Sequence, residues 1–188
     1  MRHICFLWLL LFVSVSSLKS ESSPDIVELY RVNKTGLKTS SEANTDFMLK
    51  ARVIRHVDGD TVRVQISNPP GELNVVETIR LLGVDTPETV HPNQLVQYFG
   101  KEASDFTMSR LLGRDVYLAF DWDLRDRYGR LLAYIYTDSK HCFNAVLIQE
   151  GFGRAYLRYP FQFMEEFKTL EQEARRQKRG LWADQAKP

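Results

Sequence analysis

The sequence predicts an α+β domain in which five short strands form a small barrel and three helices pack around it. Two observations carry that expectation. Five segments alternate apolar with polar or small residues at a period of two, bounded by turn residues such as Gly, Pro, Asp and Asn. Three others repeat their apolar residues at helical spacing, with glycine or a basic turn at the end. A length of 188 residues suits one domain with a sizeable core plus terminal extras.

The first strand carries Ala51, Val53 and Val57 and runs into a turn at Asp58-Gly59. In the second, Val62, Val64 and Ile66 alternate with Arg63 and Gln65, so one face is core and the other is wet. Residues 67–76, which contain Asn68-Pro69-Pro70-Gly71, form a loop, and residues 77–84 form the third strand. Val116, Leu118 and Phe120 mark the fourth strand, and a turn at residues 127–129 leads into the fifth at residues 131–136. Residues 100–112 place Ala103, Phe106, Arg110 and Leu111 at helical spacing before Gly113, and residues 143–150 form a short helix ended by Gly151. The third helix carries Phe163, Phe167, Leu170 and Ala174 on one stripe, starts at Glu165-Glu166 and ends at Arg175 and Lys178, the charge order that the helix dipole favours. Short strands with helices interposed in this order suggest a partly open barrel of the oligonucleotide-binding type.

Residues 1–20 read as a secretory signal peptide, with basic Arg2 before the apolar run 4–13 and small residues Ser14, Ser16 and Ser17 after it. The serines and Lys19 stop the run short of the ~20 apolar residues that a membrane span requires. Cleavage between residues 16 and 20 is expected, which makes the protein secreted or periplasmic and leaves membrane contact only to an uncleaved segment. Residues 21–47 are a flexible leader too polar to order itself, in which residues 26–32 can dock as a short strand or turn of helix and Asn33-Lys34-Thr35 fits a glycosylation sequon. The domain proper spans residues 48–183, and residues 184–188 are a tail.

Removing residues 1–20 takes Arg2 and Lys19 but no acid, so the formal charge falls from +1 to −1. That balance does not promise tight association with nucleic acid through many phosphate contacts and suits an enzyme that turns over better than a coating protein. Cys142 becomes the only cysteine, so packing rather than a disulfide must supply stability. His56, His91 and His141 are scattered without metal-ligand spacing. The composition implies no protein partner, and a monomer is expected.

Three charged clusters fall at turns: Asp58-Gly59-Asp60-Thr61, then Arg80 with Val84-Asp85-Thr86-Pro87-Glu88, then Asp126-Arg127-Tyr128-Gly129-Arg130. Taken singly, Asp-Gly is a favoured hairpin pair and Asp-Thr-Pro a capped turn after a strand. Together they supply what metal-assisted phosphodiester hydrolysis needs. Two carboxylates can hold a hard cation, a third can handle a water, and two arginines can grip a phosphate as its charge builds. Asp60 begins the second strand and Asp85 ends the third, so a barrel can bring both to one rim. Arg80 sits within apolar Ile79-Arg80-Leu81-Leu82, where an inward guanidinium requires an anionic partner.

On these clusters, and on Tyr128-Gly129-Arg130-Leu131-Leu132-Ala133-Tyr134-Ile135-Tyr136 and Gly180-Leu181-Trp182, the chain resembles the thermonuclease (staphylococcal nuclease-like) family across residues 51–182. The resemblance implies the staphylococcal nuclease-like fold and an endonuclease for DNA and RNA that has little sequence specificity and leaves 3′-phosphates. It implies calcium bound by Asp60, Asp85 and the main-chain carbonyl of Thr86. It also assigns Arg80 and Arg130 to a phosphate clamp, Glu88 to the attacking water as base or positioning group, and Tyr128 and Tyr156 to the bound nucleotide. The loop at residues 67–76 is longer than in the family's best-known secreted member, and Asn93-Gln94 replaces a basic pair, which implies weaker DNA association or an altered substrate preference. The rival reading is a catalytically silent nucleic-acid-binding module of the same fold, against which the intact set Asp60, Arg80, Asp85, Glu88 and Arg130 speaks. The basic run Arg175-Arg176-Gln177-Lys178-Arg179 reads as a solvated helix end.

Overall fold

The computed structural model describes residues 25–31, 44–89 and 97–183. The expected signal peptide, the sequon at Asn33, the residues His91, Asn93 and Gln94, and the expected tail lie outside the described residues.

Helix α1 (Ile26–Leu29) is capped by Asp25, whose carboxylate accepts the Val27 N–H at 2.9 Å. Ile26 is buried in the core, and the Tyr30 carbonyl accepts the Phe120 N–H at 2.9 Å, so this part of the leader docks on the domain. The strands are β1 (Leu49–Asp58), β2 (Thr61–Gln65), β3 (Val76–Leu81), β4 (Val84–Asp85), β5 (Asp115–Ala119), β6 (Leu131–Tyr136) and β7 (Arg154–Ala155). The longer helices are α2 (Gly100–Leu111), α3 (Phe143–Gln149) and α4 (Met164–Arg176), and Gly180–Trp182 forms a short 3-10 turn.

The expected α+β barrel is present, with the five strands in the order β1-β2-β3-β6-β5, and it is closed rather than partly open. Closure follows from the length of β1. Its residues Leu49 to Arg52 pair with β5, while Arg52 to Asp58 pair with β2 across two register irregularities that let the strand bend. All neighbours are antiparallel except β3 and β6, which run parallel with Ile79 opposite Leu131 and Arg80 opposite Leu132. Val53, Val62, Val64, Ile79, Leu81, Val116, Leu118 and Leu131 are fully buried core residues. Phe163 and Phe167 close the core beside α4, each edge-on to Tyr134. At the other end of α4, Arg175 and Arg176 pair with Glu171 and Glu173, and Arg175 also covers the Trp182 ring at 3.8 Å. Cys142 is a free, buried thiol whose pKa burial pushes up to about 12.

The strand expected over residues 77–84 is broken. Leu82 and Gly83 turn the chain, with Gly83 at φ +74°, and the following β4 pairs with β7 instead of extending the barrel. Val84 falls three residues after Leu81, out of phase with buried Ile79 and Leu81, a shift that the intervening apolar Leu82 masks in the sequence. Fully buried Asn144 on α3 holds the two ends together. Its side-chain amide donates to the Leu82 carbonyl at 2.9 Å and the Ala133 carbonyl at 3.1 Å, and its oxygen accepts the Ile135 N–H at 2.9 Å. Asn144→Leu strands three main-chain groups and is expected to lower unfolding free energy by about 3 kcal/mol, read from urea denaturation.

Candidate active site

The β1–β2 turn presents Asp58, Gly59 and Asp60. A side chain at Gly59 would meet the Thr86 hydroxyl at 2.6 Å, so glycine is what lets the Thr86 segment lie against this turn. Asp60 is buried and uses both oxygens. Its Oδ1 accepts the Thr61 hydroxyl at 3.0 Å, and its Oδ2 accepts the Thr86 N–H and hydroxyl at 3.1 and 3.2 Å.

Pairing of Thr61 with Arg80 between β2 and β3 brings Arg80 beside Asp60. The break after β3 then folds Asp85 back toward the same guanidinium. Arg80 Nη2 lies 3.2 Å from Asp60 Oδ2 and 3.5 Å from Asp85 Oδ1, and Nη1 donates to the carbonyls of Leu81 at 3.1 Å and Val84 at 2.7 Å. Arg80 thus has the anionic partners that its inward position requires, with only 14% of its side chain exposed. Asp85 leaves 48% of its side chain in water. Burial holds its carboxyl above the ordinary range; Arg80 opposes that shift, and the charges of Asp60 and Glu88 add to it.

Glu88 is half-buried beside this group. Gln97, at the approach to α2, clamps its backbone: the Glu88 N–H donates to the Gln97 side chain at 3.2 Å and its carbonyl accepts the Gln97 N–H at 3.1 Å. Its carboxylate neighbours Asp58, whose Oδ1 accepts the Gly59 N–H at 2.8 Å and the Thr89 hydroxyl at 2.5 Å. Burial raises the Asp58 pKa, the Thr89 and Gly59 hydrogen bonds oppose it, and Glu88 adds to it.

Arg130 pairs with an aspartate outside the Asp60, Arg80 and Asp85 cluster. Its Nε and Nη2 both lie 2.7 Å from Asp126 Oδ2, while Asp126 Oδ1 accepts the N–H groups of Tyr128 at 2.9 Å and Arg130 at 3.0 Å. Arg125 latches this turn to β3 by donating to Glu77 at 2.8 and 3.1 Å, and donates to the Gly129 carbonyl at 2.9 Å. Exposed Tyr128 lies beneath Arg127 and Arg130 at 4.7 and 5.5 Å. Tyr156 is positioned by its N–H, which donates to the Gly83 carbonyl at 2.9 Å. Arg80, Asp85, Tyr128, Arg130 and Tyr156 line one cavity of about 420 Å³, whereas Asp60, Thr86 and Glu88 lie off its wall.

Among the described residues no three His, Cys, Asp or Glu side chains converge at metal-ligand spacing. The donors present are nevertheless all oxygen, as a hard cation requires. One cationic nitrogen, Arg80 Nη2, already lies within reach of both Asp60 and Asp85, so this carboxylate pair accommodates a positive centre.

A profile of the family described as staphylococcal nuclease homologue matches residues 78–184. The chain belongs to the staphylococcal nuclease family. It is 40% identical over 134 residues to the thermonuclease of Staphylococcus hyicus, an alignment covering 71% of this chain and 75% of that protein. The thermonuclease of Staphylococcus intermedius is 36% identical over 146 residues, covering 77% and 81% of the two chains. The SPbeta prophage-derived endonuclease YokF of Bacillus subtilis is 41% identical over 132 residues, which span 69% of this chain and 42% of that longer protein.

Within this staphylococcal nuclease homologue, the structure brings together Asp60, Arg80, Asp85 and Thr86, sets Glu88 beside them, and places Tyr128, Arg130 and Tyr156 on the shared cavity. Sequence reasoning gave no role to Asp126, although an aspartate four residues before Arg130 with an intervening glycine is a legible turn signal. The Glu77–Arg125 latch and the Asp121 anchor of the neighbouring segment left no local signal, because their partners are distant in sequence.

Proposed function

We propose that this nuclease is a calcium-dependent endonuclease that hydrolyses phosphodiester bonds of DNA and RNA with little sequence preference, and that it acts outside the cell or in the periplasm after loss of residues 1–20. The observation that carries the reading is Arg80, a nearly buried guanidinium on the cavity wall held between Asp60 and Asp85. Asp60, Asp85 and the Thr86 carbonyl would hold calcium, which when bound supplies a Lewis acid that offsets phosphate charge.

The chain's own residues account for the rest. Arg80 and Arg130 give forked N–H donors to the phosphate oxygens and hold the diester in position, a geometry that lysine does not reproduce. Their hydrogen bonds strengthen as the five-coordinate transition state builds charge on those oxygens. To engage, Arg80 exchanges its Nη2 contacts with Asp60 and Asp85, and Arg130 part of its contact with Asp126, for the phosphate. Glu88 accepts a hydrogen bond from the attacking water, which orients it and draws on its proton. Tyr128 and Tyr156 offer aromatic faces that stack on any base, in keeping with little sequence preference.

The test is digestion of plasmid and single-stranded DNA by the purified protein lacking residues 1–20, with calcium, with magnesium and with a calcium chelator. Cleavage is expected with calcium and background activity with the chelator. Binding without cleavage by folded protein would instead make the chain a recognition module of the same fold. N-terminal sequencing of protein recovered from the medium, against protein retained in membranes, tests release.

A further inference from the structure

Trp122 lies between β5 and the Asp126–Arg130 turn, lines the same cavity as Arg80 and Arg130, and leaves 51% of its surface in water. An indole is a large apolar face, and leaving half of it wet forgoes burial energy. Its segment is nonetheless tightly anchored. The main-chain N–H of Trp122 donates to Asp121 Oδ1 at 2.9 Å, and buried Asp121 accepts the Tyr134 hydroxyl at 2.9 Å and the main-chain N–H of Gln162 at 2.6 Å through Oδ2. The Gln162 bond ties this segment to the one bearing Tyr159, another exposed aromatic on the same cavity. Downstream, the Arg125–Glu77 pair fixes the other end. The backbone that carries this exposed ring is therefore held by buried polar anchors.

Among the described residues no ring or guanidinium stacks on Trp122, whereas Tyr128 carries Arg127 and Arg130, and Tyr159 carries Arg158 at 5.7 Å. Rings interleaved with guanidinium groups match the two faces of a single strand, its bases and its phosphates. We propose that Trp122 stacks on an unpaired base of the substrate strand, as a site additional to Tyr128 and Tyr156, with Tyr159 and Arg158 continuing the same surface. The inference rests on the nucleic-acid reading of the cavity. It also restricts the contact to single or frayed strands, because in a duplex the base faces are covered by their neighbours.

The test compares Trp122→Ala, Trp122→Leu and Trp122→Phe with the unaltered protein. Binding is read by fluorescence anisotropy on a cleavage-resistant phosphorothioate strand of roughly ten nucleotides, a length within the usual single-strand site size. Cleavage of the ordinary strand and of a duplex of the same sequence is followed in parallel. Alanine and leucine are expected to raise Kd and KM for the strand about tenfold, with kcat held within about twofold and phenylalanine restoring most of the loss. On the duplex all four proteins should behave alike. The proposal is overturned if alanine and leucine bind the strand as the unaltered protein does, or if strand and duplex lose equally. Binding on the resistant strand requires no turnover, so a chain that binds without cutting defeats the nuclease mechanism while still deciding the role of Trp122.

Discussion

Arg80→Ala is expected to lower kcat by about two to three orders of magnitude, the usual loss when one preorganised donor to a developing oxyanion is removed. Arg80→Lys should recover little of it, because an ammonium replaces a planar fork with a point charge. The structure adds a second readout. Arg80 Nη2 is the cation shared by Asp60 and Asp85, so its removal leaves two neighbouring carboxylates without that cation. The melting temperature of Arg80→Ala should therefore fall in chelator, and rise more on calcium addition than that of the unaltered protein. A variant that loses activity but shows no extra calcium response would place Arg80 outside the cation site. One that retains activity would remove it from the phosphate clamp.

Glu88→Gln is expected to lower kcat by about 10²–10⁴-fold, the range for loss of a positioned proton acceptor. The substitution is nearly isosteric, so the fold should persist, and the pH dependence of stability distinguishes this role from a structural one. Burial first, and the charge of Glu88 after the opposing hydrogen bonds, hold the Asp58 carboxyl above its ordinary range. A carboxyl raised in this way contributes stability that is fully present below its unfolded pKa and lost as pH rises through the folded one. Removing the Glu88 charge lessens that loss. Urea denaturation should show Glu88→Gln at least as stable as the unaltered protein at neutral pH, with the difference vanishing in acid, where Asp58 is protonated in both. Full activity in this variant would end the assignment of Glu88 to the attacking water.

Much of this architecture was legible because alternation and helical spacing are local. Val62, Val64 and Ile66 announced β2 and its neighbouring turn, and residues 131–136 matched β6 at both ends. Strand ends also pointed to the rim on which Asp60 and Asp85 meet. The separation of those residues was not legible, since the β2–β3 register and the turn at Leu82-Gly83 set it, and the latter depends on an asparagine far along the chain. Arg130 illustrates the same limit. Its membership of a basic turn was plain, whereas its attachment to Asp126 depends on how the turn closes. Trp122 continues the alternation of Val116, Leu118 and Phe120 and so reads as one more core position, and only its exposure and the cavity it lines give it meaning.

The parallel pairing of β3 with β6 joins segments widely separated in the chain, and contacts of that kind form slowly because a long loop must close before they are rewarded. Arg80 lies on one side of that seam and Arg130 at the start of the other. While synthesis is still short of β6, the two arginines are not paired. A nascent chain thus reaches the arrangement in which Arg80 and Arg130 line one cavity only after β6 has been made and has paired with β3.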